Sequence, residues 1–347
     1  MAYGAENRPD TPPVTDWVND WDWLDDGRGG NDVLIGGNLS QFNFLYGDAF
    51  KLSESQGGND LLIGGDFSLY NFLYGDAVVM SDSQGGNDVA KGGNNTDLNF
   101  LYGDALLMFD STGGNDTLTG GANSSFFGNF LYGDGFKIFN SQGGNDVLMG
   151  GTDSSSNFLY GDAFFMNDSQ GGNDVLTGEA NSYSNELYGD ALYISAGQGG
   201  NDILIAHAIP SSGGFVTNNQ LYGDARNHVG GVVHCGNDRL ISGTGNDVMW
   251  GDIAYSGYGN SALDLTRVTT GYDVFVFAAN NGNDTIHDFR QGEDKIELQG
   301  VGVASFDALM AASHLSQDSA NSVITFGTNT ITVIGVTELT AADFMFT

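Results

Sequence analysis

The sequence predicts an all-β chain that folds as a right-handed parallel β-roll or β-helix solenoid, with coils of about 28 residues and a cap at each end. Three observations support this fold class. The tetrapeptide Gly-Gly-Asn-Asp recurs at a nearly constant interval, short β-prone runs lie between glycine-rich turns, and acidic residues greatly outnumber basic ones. The glycine density and the absence of a 3.6-residue periodicity exclude helices from the repeats.

The repeat has two markers in each unit. Gly-Gly-Asn-Asp places its aspartate at Asp32, Asp60, Asp88, Asp116, Asp146, Asp174 and Asp202, with gaps of 28, 28, 28, 30, 28 and 28 residues. Tyr-Gly-Asp places its aspartate at Asp48, Asp76, Asp104, Asp134, Asp162, Asp190 and Asp224. The length varies only in the Ser/Asn-rich segment between the first marker and the second, so we expect a surface loop there.

Residues 57–84 illustrate the unit. Residues 61–63 and 71–74 read as short strands between turns, and residues 77–80 as a third strand. Strands this short cannot form an independent sheet within one unit, so each must pair with its copy in the next unit. This pairing predicts a parallel solenoid. Residues 205–234 read as an irregular insertion, after which Asp238 and Asp247 stand nine residues apart.

The charge balance requires a counterion. The 347 residues contain 10 Lys and Arg and 44 Asp and Glu, a net charge of −34, yet 40% are hydrophobic and 12% aromatic. A chain with this charge resists compaction unless a multivalent cation neutralises it. The balance argues against nucleic acid and anionic membranes as partners, and we expect no membrane span, no intrachain disulfide and no Sec-type signal peptide.

The segment from Ser242 to Trp250, with Gly245-Asn246-Asp247 at its centre, resembles the calcium-binding repeat of the repeat-in-toxin (RTX), or haemolysin-type, family. The 28-residue units look like an expanded version, and the resemblance covers roughly residues 27–289. It implies multiple Ca²⁺ ions between equivalent turns of successive coils, held by carboxylates and backbone carbonyls of glycine-rich turns. It also implies that the leucine of Asp-x-Leu points inward.

The resemblance implies the following calcium ligands: Gly30, Asp32, Gly58, Asp60, Gly86, Asp88, Gly114, Asp116, Gly144, Asp146, Gly172, Asp174, Gly200, Asp202, Gly236, Asp238, Gly245, Asp247 and Asp284. A second column is either another set of ligands or merely a series of turns: Asp48, Asp76, Asp104, Asp134, Asp162, Asp190, Asp224 and Asp252. The alternative for both sets is that the aspartates only form turns.

The sequence departs from the family pattern at two places. Ser55-Gln56 and its equivalents replace the first glycine pair of the motif. Asparagine stands where the second half-turn of the family has aspartate, at Asn43, Asn71, Asn99, Asn129, Asn157 and Asn185. We therefore predict one calcium column, along the Gly-Gly-Asn-Asp edge.

The C-terminal region, exemplified by residues 273–277 and 282–298, looks like the end of proteins exported by the type I system. The resemblance implies a cap that also carries the export signal, and folding in extracellular calcium. We divide the chain into an N-terminal cap (1–26), a calcium-binding solenoid (27–252) and a C-terminal capping and secretion-signal region (253–347), and expect a secreted, extracellular or cell-surface location.

Alternation along the second strand would place two aromatic columns outside, headed by Phe44 and Tyr46. Three interpretations remain open: the third strand covers them, the coil is wide enough to enclose them, or they form a binding surface. Trp17, Trp21 and Trp23 suit a cap over the first coil or a sugar-stacking site.

No catalytic motif stands out, and we expect no enzymatic activity. His228, His234 and Cys235 could form a transition-metal site or be incidental loop residues. The leading functional hypothesis is a structural, matrix, surface-layer or adhesive protein that assembles with itself. The alternatives are an extracellular polysaccharide-binding module and, third, a polysaccharide-modifying enzyme.

Overall fold

A computed structural model describes residues 23–124, 127–179, 181–206, 218–258, 261–312, 314–317 and 319–347. The strands of the first four coils are β1 (Trp23–Asp25), β2 (Val33–Ile35), β3 (Phe42–Tyr46), β4 (Ala49–Ser53), β5 (Leu61–Ile63), β6 (Tyr70–Tyr74), β7 (Ala77–Ser81), β8 (Val89–Lys91), β9 (Leu98–Tyr102), β10 (Ala105–Phe109), β11 (Thr117–Thr119), β12 (Gly128–Tyr132) and β13 (Gly135–Phe139). The next coils contain β14 (Val147–Met149), β15 (Ser156–Tyr160), β16 (Ala163–Gln170), β17 (Val175–Thr177), β18 (Ser184–Tyr188), β19 (Ala191–Gln198), β20 (Ile203–Ile205), β21 (Asn218–Tyr222), β22 (Ala225–His234), β23 (Arg239–Ile241) and β24 (Asn246–Trp250). The C-terminal elements are β25 (Tyr255–Ser256), β26 (Val268–Thr269), β27 (Val274–Ala278), β28 (Asn283–Ile286), β29 (Lys295–Gln299), α1 (Phe306–Ala311), β30 (Leu315–Gln317), β31 (Asn321–Phe326), β32 (Asn329–Ile334), a 3₁₀ turn (Ala341–Asp343) and β33 (Phe344–Phe346).

Each coil up to β24 contributes one strand to each of three sheets in the described part of the chain. Sheet 1 runs from β2 and β5 to β33, sheet 2 from β3 and β6 to β32, and sheet 3 from β1 and β4 to β25. Pairing between coils is parallel and joins equivalent residues, as Leu62 with Ala90 in sheet 1 and Leu73 with Leu101 in sheet 2. The chain is therefore a parallel β-roll solenoid, as the sequence predicts, and the third strand is present in every repeat.

Inward-facing residues form two separate apolar cores among the described residues. The first lies between sheets 1 and 2 and contains Leu62 and Leu73 with their equivalents, which are fully buried in the regular coils after the first. The second lies under sheet 3 and contains Ala77 and Met80 with their equivalents. The leucine of Asp-x-Leu thus points inward, as expected.

The tyrosines of Tyr-Gly-Asp form a continuous stack on the other face of sheet 2. The ring centroids of Tyr160 and Tyr188 are 4.8 Å apart, and the stack continues through Tyr222 onto Trp250. Third-strand residues such as Leu106 and Phe136 pack against the tyrosines, which are buried. For this column the structure favours the first of the three interpretations, whereas the neighbouring column at Phe100 is only half-buried.

A second buried stack consists of asparagine side chains, one near the beginning of each successive strand of sheet 2. The Nδ2 of Asn71 donates to the Oδ1 of Asn99 (2.8 Å) and to the carbonyl of Gly65 (3.1 Å). Its own Oδ1 accepts from the backbone N–H of Gly65 and from Asn43 Nδ2. The ladder comprises Asn43, Asn71, Asn99, Asn129, Asn157, Asn185 and Asn219, which are buried. Asparagine at this position therefore has a structural explanation: its amide can both donate to the next coil and accept from the previous one.

The end of the solenoid differs from the regular coils. Residues 218–234 continue sheets 2 and 3 as β21 and β22, so this part of the predicted irregular segment forms strands, and the irregularity is a shift in register between β19 and β22. Sheets 1 and 2 continue without a break beyond residue 252, and the antiparallel strands β30–β32 extend sheet 2. The short helix α1 buries Leu309.

At the opposite end, β1 pairs with β4, and the Trp23 side chain, 62% exposed, lies under the Lys51 ammonium at 5.0 Å. Trp17 and Trp21 lie outside the described residues. No helix among the described residues is long and apolar enough to cross a membrane.

We expect Asn129→Ala to destabilise the calcium-loaded protein by about 3 kcal/mol or more, because each buried polar group that loses its partner costs about 1–3 kcal/mol. The substitution removes hydrogen bonds to Gly121, Asn99 and Asn157. The measurement is urea denaturation at fixed calcium.

The control is Asn167→Ala, which removes one hydrogen bond to the neighbouring Asp168 on the outer face of sheet 3. Equal losses in the two variants would show that the buried ladder adds no stability of its own.

Candidate metal centre

The two aspartate markers face one another inside the coil. Tyr-Gly-Asp carries the chain from sheet 2 to sheet 3, and Gly-Gly-Asn-Asp carries it back from sheet 3 to sheet 1. Both segments therefore cross between the two apolar cores. A Cβ added to Gly57 would lie 1.8 Å from Oδ1 of Asp76, and one added to Gly75 would lie 2.1 Å from Oδ2 of Asp88. Only glycine allows the two segments to approach this closely.

Most of the aspartates use one oxygen to accept from backbone, whereas Asp76 and Asp104 each accept from a glycine N–H with both oxygens. In the first column, Oδ1 of Asp116 accepts from the backbone N–H of Asp88 at 2.6 Å, and this pattern repeats along the stack. In the second column, Oδ1 of Asp162 accepts from the N–H of Gly172 at 2.8 Å. These bonds fix the carboxylates in two parallel rows.

The remaining oxygens are left without a partner. Oδ2 is buried and has no hydrogen-bond partner among the described residues in the following aspartates: Asp60, Asp88, Asp116, Asp134, Asp146, Asp162, Asp174, Asp190, Asp202, Asp224, Asp238 and Asp273. Oδ1 of Asp48 is in the same situation. An isolated buried carboxylate is so costly that it must be protonated or bound to a cation.

Consecutive coils bring these oxygens together. Asp60, Asp76 and Asp88 place ligand atoms within 4.8 Å of one another, and so do Asp32, Asp48 and Asp60. Each set takes two aspartates from the first column and one from the second. The two columns therefore form one array rather than two separate edges, and the array is enclosed rather than exposed.

Burial opposes ionisation of these groups. It raises the pKa of Asp60 to about 8 and that of Asp88 to about 7, and nearby aspartates add to both shifts. Burial raises the pKa of Asp134 to about 6. Burial and the charges of Asp116 and Asp76 raise the pKa of Asp104 well above its usual value.

A hard divalent cation fits this arrangement. Ca²⁺ takes six to eight oxygen ligands, and the groups that converge here are carboxylates whose free oxygens point at each other. A cation between coils would satisfy these oxygens and offset both the burial and the repulsion that raise the pKa values. The residues in both columns therefore fit calcium, and most of them have one oxygen held by backbone and the other available.

Three predicted ligands lie elsewhere. Asp247 pairs with Asn219 and stands in the asparagine ladder, where its oxygens accept from Asn219 Nδ2 (2.6 Å) and the Gly243 N–H (2.7 Å). Asp284 is its equivalent one coil later and accepts from the Asp247 N–H. The nine-residue step from Asp238 to Asp247 spans one short strand, so it leads to the next corner of the same coil. Gly245 belongs to that corner as well, so the structure places Asp247, Asp284 and Gly245 outside the calcium column in which they were predicted.

Three members of the array were missed in the sequence. The Asp238 N–H donates to Asp273, and the Asp273 N–H donates to Asp294, which extends the first column. Asp288 lies at the C-terminal end of the second column, above Gly251 in the strand register, and accepts from the N–H groups of Gly251 and Asp252. These aspartates lack the Gly-Asn or Tyr-Gly prefix. The available signal was the Asp-x-Phe and Asp-x-Ile start of an apolar strand at Asp273 and Asp294.

The histidines do not join Cys235. His228 Nε2 contacts the carbonyl of Gly230 at 2.7 Å, and the exposed His234 pairs with Gln198 on the outside of the coil. Among the described residues, the metal-ligating groups near Cys235 are Asp224 and Asp252. His228, His234 and Cys235 therefore do not come together as a metal site.

Two comparisons relate this chain to known proteins. Residues 26–346 match the family described as "Peptidase M10 serralysin C terminal". No curated protein sequence matches the chain. Among solved structures, it is similar to the extracellular lipase LipA from Serratia marcescens, with 16% identity and a TM-score of 0.23. The match covers 63% of this chain and 40% of the lipase, so the chain spans less than half of the lipase, and a likeness this weak indicates neither activity nor substrate.

The family match extends over nearly the whole described solenoid, and the serralysin C-terminal domain is an RTX-type, calcium-binding β-roll. This family-level result agrees with the stacked parallel coils and with the buried rows of aspartate. The chain therefore belongs to the peptidase M10 serralysin C-terminal family.

Proposed function

We propose that this protein is a secreted calcium-binding β-solenoid with a structural, matrix, surface-layer or adhesive role, and that it folds on binding Ca²⁺ after export. The observation that carries the proposal is the row of buried, partnerless carboxylate oxygens between coils. Calcium bound there stabilises only the folded state, because the unfolded chain does not bring these oxygens together. Low calcium inside the cell would keep the chain unfolded for a type I exporter that uses residues 253–347 as its signal.

The outer face of sheet 1 supports self-association. Its outward positions carry a row of exposed apolar side chains, which comprises Val33, Ile35, Leu61, Val89, Val147 and Ile203. A row of this kind on a regular parallel sheet is a surface that another sheet can cover. We propose a second copy of the chain as its partner, with no catalytic role for either copy.

A second candidate function is polysaccharide binding. It is favoured by the half-buried phenylalanine column on sheet 2, in which Phe100 and Phe130 have ring centroids 5.2 Å apart. The column ends where Glu186 pairs with Phe158. Binding to immobilised polysaccharides with and without calcium, repeated on Phe100→Ala/Phe130→Ala, would distinguish this role from self-association.

Asp116→Asn is expected to raise the calcium concentration needed for half-maximal folding by about tenfold, which corresponds to about 1.4 kcal/mol. The change keeps the side-chain volume and the oxygen that binds the Asp88 N–H, but removes a charge from the array. Far-UV circular dichroism during a calcium titration measures the midpoint.

The matched control is Asp110→Asn, which removes the same charge from an exposed corner of the same coil. Identical midpoints for the two variants would show that net charge, not a specific site, governs the calcium response.

The calcium-free protein is expected to lose stability as pH rises from about 4 to about 8. The pKa values of Asp134, Asp88 and Asp60 rise from 3.8 to about 6, 7 and 8 in the fold, so the folded state holds more protons than the unfolded state in this window. Stability then decreases with increasing pH. Circular dichroism of calcium-stripped protein across this range measures the effect.

Saturating calcium should reverse the slope, because protons compete with the cation for the same oxygens. A calcium-stripped protein that gains β-structure on going from pH 4 to pH 8 would contradict the assignment of these carboxylates.

Val89→Lys combined with Val147→Lys is expected to abolish calcium-dependent assembly while preserving the fold, because two ammonium groups would have to be desolvated between the sheets. Both positions point outward on sheet 1. Sedimentation velocity and negative-stain microscopy at increasing protein concentration provide the measurement.

Ser81→Lys with Asn167→Lys adds the same charge to the outer face of sheet 3 and should leave assembly intact. Wild-type protein that remains monomeric at all concentrations in calcium would overturn self-association.

A further inference from the structure

One coil of the aspartate array contains a thiol where all the preceding coils have glycine. Gln198 pairs with His234, so Cys235 takes the position of Gly199, the first glycine of Gly-Gly-Asn-Asp. Gly236 keeps its role, because its N–H donates to Oδ1 of Asp224 at 2.7 Å. The replacement is therefore confined to the residue that faces the carboxylates.

The regular coils show where a side chain at this position must point. A Cβ added to Gly199 would lie 1.9 Å from Oδ1 of Asp224 in its own coil and 2.6 Å from Oδ2 of Asp190 one coil earlier. Gly171 shows the same arrangement at 1.9 and 2.7 Å from its two aspartates. The Cys235 side chain accordingly enters the array between two carboxylates.

The structure places these carboxylates around the thiol. Asp224, Cys235 and Asp252 bring ligand atoms within 4.8 Å of one another. The Asp224 side chain is fully buried, and its Oδ2 is without a hydrogen-bond partner among the described residues.

This donor set does not suit calcium. Ca²⁺ selects oxygen ligands, whereas thiolate sulfur selects softer cations such as Zn²⁺ and Cd²⁺. We propose that Asp224, Cys235 and Asp252 form a mixed thiolate–carboxylate site that binds a thiophilic divalent cation of the Zn²⁺ class, within an array whose other sites take calcium. On binding, the Cys235 thiol loses its proton to solvent and a metal–sulfur bond forms.

The local charges balance in this state. A thiolate and two carboxylates contribute three negative charges. A divalent cation supplies two positive charges and Arg290 the third, since its Nε lies 3.5 Å from Oδ2 of Asp252. In the regular coils the carboxylates have no such arginine among the described residues, so the site differs from its neighbours in both its ligand atoms and its counter-charge.

The test uses Co²⁺ as a spectroscopic probe on the full chain in saturating calcium. We expect a thiolate-to-cobalt charge-transfer band in the near ultraviolet that saturates, disappears on adding Zn²⁺ and survives excess Ca²⁺. Cys235→Gly, which restores the residue of the preceding coils, should abolish the band and retain calcium-dependent folding. A band that persists in Cys235→Gly, or cobalt binding without the band, would overturn the site.

A second measurement on the wild-type chain does not depend on a variant that folds. Zn²⁺ should slow modification of Cys235 by a thiol-reactive dye by about tenfold or more in calcium-loaded protein, because the metal-bound thiolate is no longer free to react. The control is Mg²⁺ at the same concentration, which should not change the rate of Cys235 modification. Equal protection by the two ions, or none by Zn²⁺, would refute the proposal.

Discussion

Repulsion between carboxylates enclosed between coils is the constraint on which the rest of this structure depends. Two unit charges about 5 Å apart repel by about 3 kcal/mol at an effective dielectric constant of about 20. Ligand atoms of Asp60, Asp76 and Asp88 all lie within that distance, and buried carboxylate oxygens without a partner recur along the stack. Without a compensating cation the coils cannot hold these groups ionised, so the fold and its counterions form one thermodynamic unit.

The other two buried stacks are neutral. The tyrosine stack and the asparagine ladder join equivalent residues of successive coils. The tyrosine ring centroids are about 4.8 Å apart, and the hydrogen bonds between asparagine side chains are 2.8 Å long. They specify which residue lies above which, and they need no ion to do so. Register is thus determined by uncharged groups, and the dependence on cations is concentrated in the aspartates.

Much of the fold could be predicted because its signal is repeated. The strand at residues 61–63 has the predicted bounds, and Leu62 and Leu73 point inward as alternation requires. That the two aspartate columns converge could not be predicted, because it depends on how two turns cross between separate cores. The placement of Asp247 failed for a related reason: local sequence shows a Gly-Asn-Asp turn, but only strand pairing shows which corner it occupies. Asp273 and Asp288 escaped notice because neither has the prefix of its column.

The asparagine ladder has a direction. Every amide nitrogen donates toward the C-terminus, and the series stops at Asp247, a carboxylate that accepts but cannot pass a donor onward. The ladder therefore has a fixed direction and ends at Asp247. Each asparagine in its interior makes the same contacts with its neighbours as the next one does. Gain or loss of whole units by unequal recombination would change the length of the rod while leaving both of its ends as they are.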